Sequence, residues 1–177
     1  IPDASDMTRD TALKVINFIL FQVGWLAGVL LTNPWALSVA LGILVFHLAV
    51  VSNHPWSEGR FILLGVVLGS LLDGLWFRTG VLQDSAGSAW TPLWLVAIWA
   101  MFMTTLAHSL AWMHQRIWLP LVFAPVAGPM AYYAASRLGA VNLPDIGLSL
   151  LALAVGWGFI FPLLMAIQRR YFRETLI

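Results

Sequence analysis

Asp73 is the residue whose placement demands most of its surroundings. It ends the run Gly65-Val-Val-Leu-Gly69-Ser-Leu-Leu-Asp73. The spacing of four puts Gly65, Gly69 and Asp73 on one face of a helix. The small residues bring a neighbour close, so the carboxylate faces protein rather than lipid. An acid at membrane depth is expensive, and it serves either a site or a structural clamp. Arg78 is poorly placed for that clamp, five residues on, which leaves Arg137 from another helix as the better partner. Arg78 and Arg137 each stand in a last helical turn with a glycine two residues later. There they meet the helix dipole and the glycine caps the end. If they bind anything, it is an anionic headgroup or a carboxylate.

A second polar level comprises Asn17 and Gln22, then His47, then Thr104, Thr105, His108 and Ser109. Thr104, Thr105 and His108 fall at i−4, i−3 and i, which predicts one polar stripe on a helix. His47 and His108 are expected at similar depth on facing helices. Such a pair could ligate haem b, bind a quinone or relay protons. Hydrogen bonding that glues helices together explains it as well.

Other chemistries have no residues to carry them. Four histidines, two of them in loops (His54, His114), are too few for a histidine-rich di-iron oxidase. There is no His-Glu-x-x-His, phosphate loop, dinucleotide glycine pattern or Gly-x-Ser-x-Gly. No metal site is legible, and no pair of intramembrane acids suggests an aspartyl protease. The absence of cysteine removes disulfides, thiolate-held metals and thioether haem.

The elements that must position these residues follow from composition. Of 177 residues 60% are hydrophobic and 10% charged, against about 25% charged in soluble domains. Lipid must supply most of the outer contact, which excludes a soluble enzyme. The net charge of +1 offers no field for nucleic acid. Six stretches approach the roughly 20 apolar residues of a span: Ala12 to Leu31, Trp35 to Val51, Phe61 to Thr79, Pro92 to Met113, Ile117 to Arg137 and Ile146 to Ile167. The expected fold is an all-α polytopic membrane bundle of six transmembrane helices, a single domain over 7–177. Ile1 to Asp6 read as an upstream remnant.

Arg9, Lys14, Arg60, Arg116, Arg169, Arg170 and Arg173 fall on the side holding both termini, which predicts cytoplasmic termini. Arg78-Thr-Gly80-Val81-Leu82 echoes Arg137-Leu-Gly139-Ala140-Val141 and hints at repeated hairpins. Pairs of small residues (Gly24 and Gly28, Gly65 and Gly69, Ala124 and Gly128) predict internal helix packing or a dimer seam. Seven of the ten tryptophans suit interfacial belts. Trp25, Trp99 and Trp157 lie mid-span, where they either line a cavity or pack. Pro120, Pro125 and Pro129 disrupt the fifth span, which is then either a broken segment lining a substrate cavity or a kinked, well-packed helix.

Asn17-Phe18, Phe21-Gln22, Gly24-Trp25, His47, Gly69 with Asp73, Trp99, Phe102, Thr105, His108-Ser109, Trp112, Gly128-Pro129 with Tyr132, Leu138-Gly139-Ala140, Trp157 and Pro162 form a pattern over Asn17 to Ile167. This pattern resembles a family of small bacterial inner-membrane proteins classed as a domain of unknown function. The resemblance implies a six-span envelope protein. Genes of such proteins often neighbour cyclopropane-fatty-acid-synthase-like methyltransferases and flavin-dependent oxidoreductases, which points to handling or modification of membrane lipids. It adds Tyr132 to the candidate ligand-binding set. Partners expected on this reading are membrane lipids and other membrane proteins. Two alternatives stand beside it: the solute-binding subunit of a transporter, and a structural, haem-bearing or quinone-bearing subunit of a complex.

Overall fold

The computed structural model describes residues 4–176. Six α-helices run in order as α1 (Ala4–Leu31), α2 (Pro34–Phe46), α3 (Pro55–Thr79), α4 (Leu93–Met103), α5 (Trp118–Arg137) and α6 (Ile146–Tyr171). A π turn at His47–Val51 follows α2, and 3-10 turns occupy Ala111–Gln115 and Arg173–Leu176. Of the expected remnant, residues 1–3 lie outside the described residues, while Ala4–Asp6 already belong to α1.

Local chemistry accounts for most helix ends. Asn33 caps α2 by accepting from Trp35 N at 3.0 Å, with Pro34 at the first helical position. Pro55 opens α3 in the same way, six residues before the expected start, with Glu58 in the first turn. Asp145 caps α6 by accepting from Leu148 N. Gly80 and Gly139 follow α3 and α5 with φ of 79° and 84°, a left-handed conformation that glycine enters at no steric cost.

The two Arg-x-Gly segments therefore do the same job, and the chain just beyond them is joined. Gln83 N donates to Asn142 O and Asn142 N to Gln83 O, at 3.1 and 2.7 Å, beside Ser149 Oγ donating to Val81 O. This bridge joins the ends of the two helices that the sequence echo linked.

The outside is apolar. Leu26, Leu41, Leu63, Leu71, Val126, Leu151 and Phe159 are all exposed, a pattern stable only against hydrocarbon. Four helical stretches are long and apolar enough to cross a bilayer: Met7–Leu31, Pro34–Val51, Pro55–Thr79 and Ile146–Tyr171. The fourth expected span is the main departure. α4 has only 11 residues, about 16 Å of helix at 1.5 Å per residue. Beyond it the chain tightens, with Thr104 N, Thr105 N and Leu106 N donating three residues back. The hydroxyls of Thr104 and Thr105 also bond the carbonyls of Met101 and Phe102 at 2.7 and 2.6 Å, competing with the α-helical ladder.

The proline-rich fifth span forms one helix rather than two. It is continuous over 20 residues with Pro125 and Pro129 inside. Pro120 falls in its first turn, where no donor is lost.

Glycines mostly seat side chains rather than helix backbones. The Trp99 indole lies directly over Gly69, Met103 over Gly65, Met101 over Gly24, Ile98 over Gly28 and Trp157 over Gly128. The small-residue pairs thus mark where one helix receives large side chains from the next.

Candidate functional site

A cleft of about 780 Å³ separates α1 and α4 on one side from α5 and α6 on the other. Phe18, Phe21 and Trp25 of α1, Trp99 and Phe102 of α4, Gly128, Ala131 and Tyr132 of α5, and Trp157 of α6 form its walls. All three mid-span tryptophans line it. Trp99 and Trp157 stack at 5.1 Å with planes 6° apart, and Phe102 meets both edge-on at 5.6 and 5.3 Å. Such offset and edge contacts are the favoured aromatic geometries. The result is a rigid aromatic floor under an apolar cleft.

Asp73 holds that floor from behind. It is fully buried and does not line the cleft. Its Oδ2 accepts from Trp99 Nε1 at 2.6 Å and its Oδ1 from Tyr132 OH at 2.5 Å. Among the described residues no ion pair joins Asp73 to an arginine. Arg78 and Arg137 are both exposed at the ends of α3 and α5. Asp73 belongs to α3, yet both of its partners are cleft-wall residues from other helices. It therefore holds two side chains of the cleft wall in place from behind.

The second polar cluster lies nearer the start of α3. His47 and His108 do come together, with ring centroids 4.8 Å apart. Between them stands Glu58, which falls between the second and third spans expected from the sequence. Glu58 is 1% exposed and is the second buried acid beside Asp73. Its Oε1 accepts from His47 Nε2 at 2.5 Å, and His108 Nε2 reaches both oxygens at 3.1 and 3.3 Å. The readable signal was local. Pro55 followed three residues later by an acid is a helix start, and extending α3 back to Pro55 brings Glu58 into the bundle.

Asn17 ties this cluster together. Its Oδ1 accepts from Ser109 Oγ at 2.7 Å and Ser109 N at 3.3 Å, which fixes the amide's orientation. Nδ2 then donates to Thr104 Oγ1 at 3.1 Å and faces His47 Nδ1 at 3.3 Å. An amide N–H can only meet an accepting nitrogen, so the His47 proton sits on Nε2 and points at Glu58.

The predicted stripe of Thr104, Thr105 and His108 does not exist as a helical face, because the helix ends at Met103. Thr104 joins Asn17, His108 joins Glu58, and Thr105 lines the cleft. Gln22 is exposed at the cleft wall. In this arrangement both Nε2 atoms point to one carboxylate rather than to opposite faces of a porphyrin.

A smaller pocket of about 200 Å³ adjoins His108. Lys14, Ser109, Trp112 and Gln115 share it, and Ser109 also lines the large cleft. Lys14 pairs with Asp10 at 2.5 Å at its edge. Ser109 is thus the one lining residue that the apolar cleft and the polar pocket share.

Comparison with known proteins supplies a family and no activity. The chain belongs to the family described as protein of unknown function (DUF2878), which matches residues 14–163. No curated protein and no solved structure matches it.

Proposed function

We propose that this member of a family without an assigned activity binds an amphiphile, with the acyl portion in the cleft and the polar end toward Ser109 and the His108 pocket. The observation that carries the reading is the junction at Ser109 of an apolar cleft with a polar pocket. Ligand sites of this kind measure about 300–1,000 Å³ and place a few polar groups at one end of an apolar wall.

Moving an acyl chain from lipid into the cleft gains little hydrophobic energy, because lipid tails are as apolar as the cleft. Selectivity must then come from shape and from the ends. The stacked Trp99 and Trp157 form a flat wall, Tyr132 is fixed by Asp73, and Gln22, Thr105 and Ser109 supply the polar contacts. On this reading Asp73 positions the wall, and Arg78 and Arg137 meet headgroups at the membrane surface.

The reading includes a six-span arrangement in a bacterial inner membrane. In it α4 and the irregular segment after it complete one crossing, and the basic residues near both termini face the cytoplasm. Irregular backbone at that depth is supported by Asn17, Glu58 and the threonine hydroxyls. A role beside enzymes of fatty-acyl modification is part of the same proposal.

Native mass spectrometry of gently purified protein tests it. The wild type should retain an amphiphile through detergent exchange. Ala131→Trp, which fills the cleft, should lose it by tenfold or more while staying monodisperse. Equal retention by both proteins would refute the cleft as the site. If deleting the gene alters the cell's fatty-acid profile but Ala131→Trp and Asp73→Asn do not, the link to acyl modification fails.

A further inference from the structure

The cluster of His47, Glu58 and His108 has a capacity that the amphiphile reading does not use. One ligand atom from each side chain lies within 4.8 Å of the others. The three come from separate elements: the first residue of the π turn, the first turn of α3, and the irregular segment after α4. π turns and broken helices are tolerated where they place functional groups. Here both histidines sit on such backbone, and both aim Nε2 at the same carboxylate.

We propose that His47, Glu58 and His108 bind a divalent transition ion of the zinc class. Two imidazoles and one carboxylate are the ligand set of catalytic zinc sites and of related divalent metals, and they disfavour calcium and magnesium, which take oxygen. Ligand bonds of about 2.0–2.1 Å place neighbouring ligand atoms roughly 3.3 Å apart in a tetrahedron. His108 Nε2 already lies 3.1 and 3.3 Å from the two oxygens of Glu58. The 2.5 Å separation at His47 must open by under about 1 Å, and the two histidine nitrogens, within 4.8 Å of one another, must close by up to about 1.5 Å, both side-chain adjustments. The pocket beside His108 provides the entry path and room for a water at the remaining position.

Coordination makes one demand on the surroundings. A metal on Nε2 of His47 moves the ring proton to Nδ1, which must then donate to an acceptor. Nδ1 faces Asn17 Nδ2 at 3.3 Å. A half-turn of the Asn17 amide puts Oδ1 there instead, at the cost of the bond it accepts from Ser109 N, with Nδ2 then facing Ser109 Oγ, which can turn to accept. Metal binding is thus coupled to the orientation of Asn17, and an acid at position 17 supplies the acceptor without any turn.

The test uses the full chain purified without chelator. Zinc content is measured by mass spectrometry of the digested protein, and Co²⁺ is titrated as a visible-absorbing probe. The wild type should carry stoichiometric zinc and give the intense visible bands of four-coordinate Co²⁺. His108→Ala and Glu58→Gln should lose the bands. Asn17→Asp should bind at least as tightly as the wild type, while Asn17→Ala should weaken binding by about 10–100-fold. His108 lies at the rim, so His108→Ala separates loss of metal from loss of fold even if Glu58→Gln does not assemble. A wild type that takes up neither ion overturns the proposal and leaves a hydrogen-bonded triad only. Undiminished cobalt bands in His108→Ala overturn it equally.

Discussion

Tyr132 and Trp99 give Asp73 its two donors, and removing them one at a time measures what holds the aromatic floor. Tyr132→Phe deletes one hydroxyl and leaves the ring, so almost no cavity forms. The lost bond is a 2.5 Å contact to a fully buried carboxylate. Leaving a buried acceptor unsatisfied costs about 1–3 kcal/mol, and at such burial the vacated lone pair is not rehydrated. We expect about 2 kcal/mol. Asp73→Ala leaves both the indole N–H and the phenol O–H unpaired and opens a small void, at about 3–5 kcal/mol.

Asp73→Asn should be mildest, at about 1 kcal/mol. Its Oδ1 still accepts from Trp99, and its Nδ2 can donate to the Tyr132 oxygen. The assay is reversible unfolding in mixed detergent and dodecyl sulfate, followed by tryptophan fluorescence, with Tyr132→Phe/Asp73→Asn closing a double-mutant cycle. The expected order is Asp73→Ala, then Tyr132→Phe, then Asp73→Asn. A loss under about 0.5 kcal/mol for Asp73→Ala, or Asp73→Asn as the worst of the three, would refute the clamp.

Gly128→Ala should push Trp157 toward the cleft, because that indole lies directly over the glycine. The expected cost is about 1–3 kcal/mol, and quenching of tryptophan emission by brominated acyl chains should change with it. Gly80→Ala and Gly139→Ala should each lose roughly 1–2 kcal/mol from their left-handed backbones, read in the same unfolding assay, whereas Gly42→Ala, with open space around it, should not.

His114 supplies a pH prediction. Burial, with Arg169 nearby, holds its ring below the ordinary value of 6.5, against the opposing bond to Gln168. The unfolded chain therefore binds the proton more readily than the folded one. Stability from this residue is full above about pH 6.5 and falls as pH drops through the lowered folded value. Melting curves at pH 7.5 and 5.5 should differ less in His114→Gln than in the wild type.

Much of the fold was readable because helix ends and lipid-facing surfaces are decided by nearby residues. Asn33-Pro34, Asp145, Gly80 and Gly139 act within one turn of themselves. The long apolar runs announce membrane helices by length alone. The end of α4 was partly legible in Thr104 and Thr105, but an apolar run up to Met113 hid it. Hydroxyls bonding three residues back matter only when other groups also draw the chain away, and here Asn17 takes Thr104.

The candidate sites are where local reading stops. Asp73 finds Trp99 and Tyr132 at sequence separations of 26 and 59 residues. Glu58 finds His47 and His108 at 11 and 50. An arginine was the reasonable partner for a buried acid on charge alone. Position decided otherwise: Gly69 makes room for the Trp99 indole beside Asp73, while Arg78 and Arg137 remain at exposed helix ends. Residue chemistry by itself determined that buried acids, histidines and aromatics had to be satisfied inside an apolar bundle. Only the tertiary structure decided which satisfied which, because a hydrogen bond is chosen by the few ångströms that packing leaves between atoms far apart in the chain.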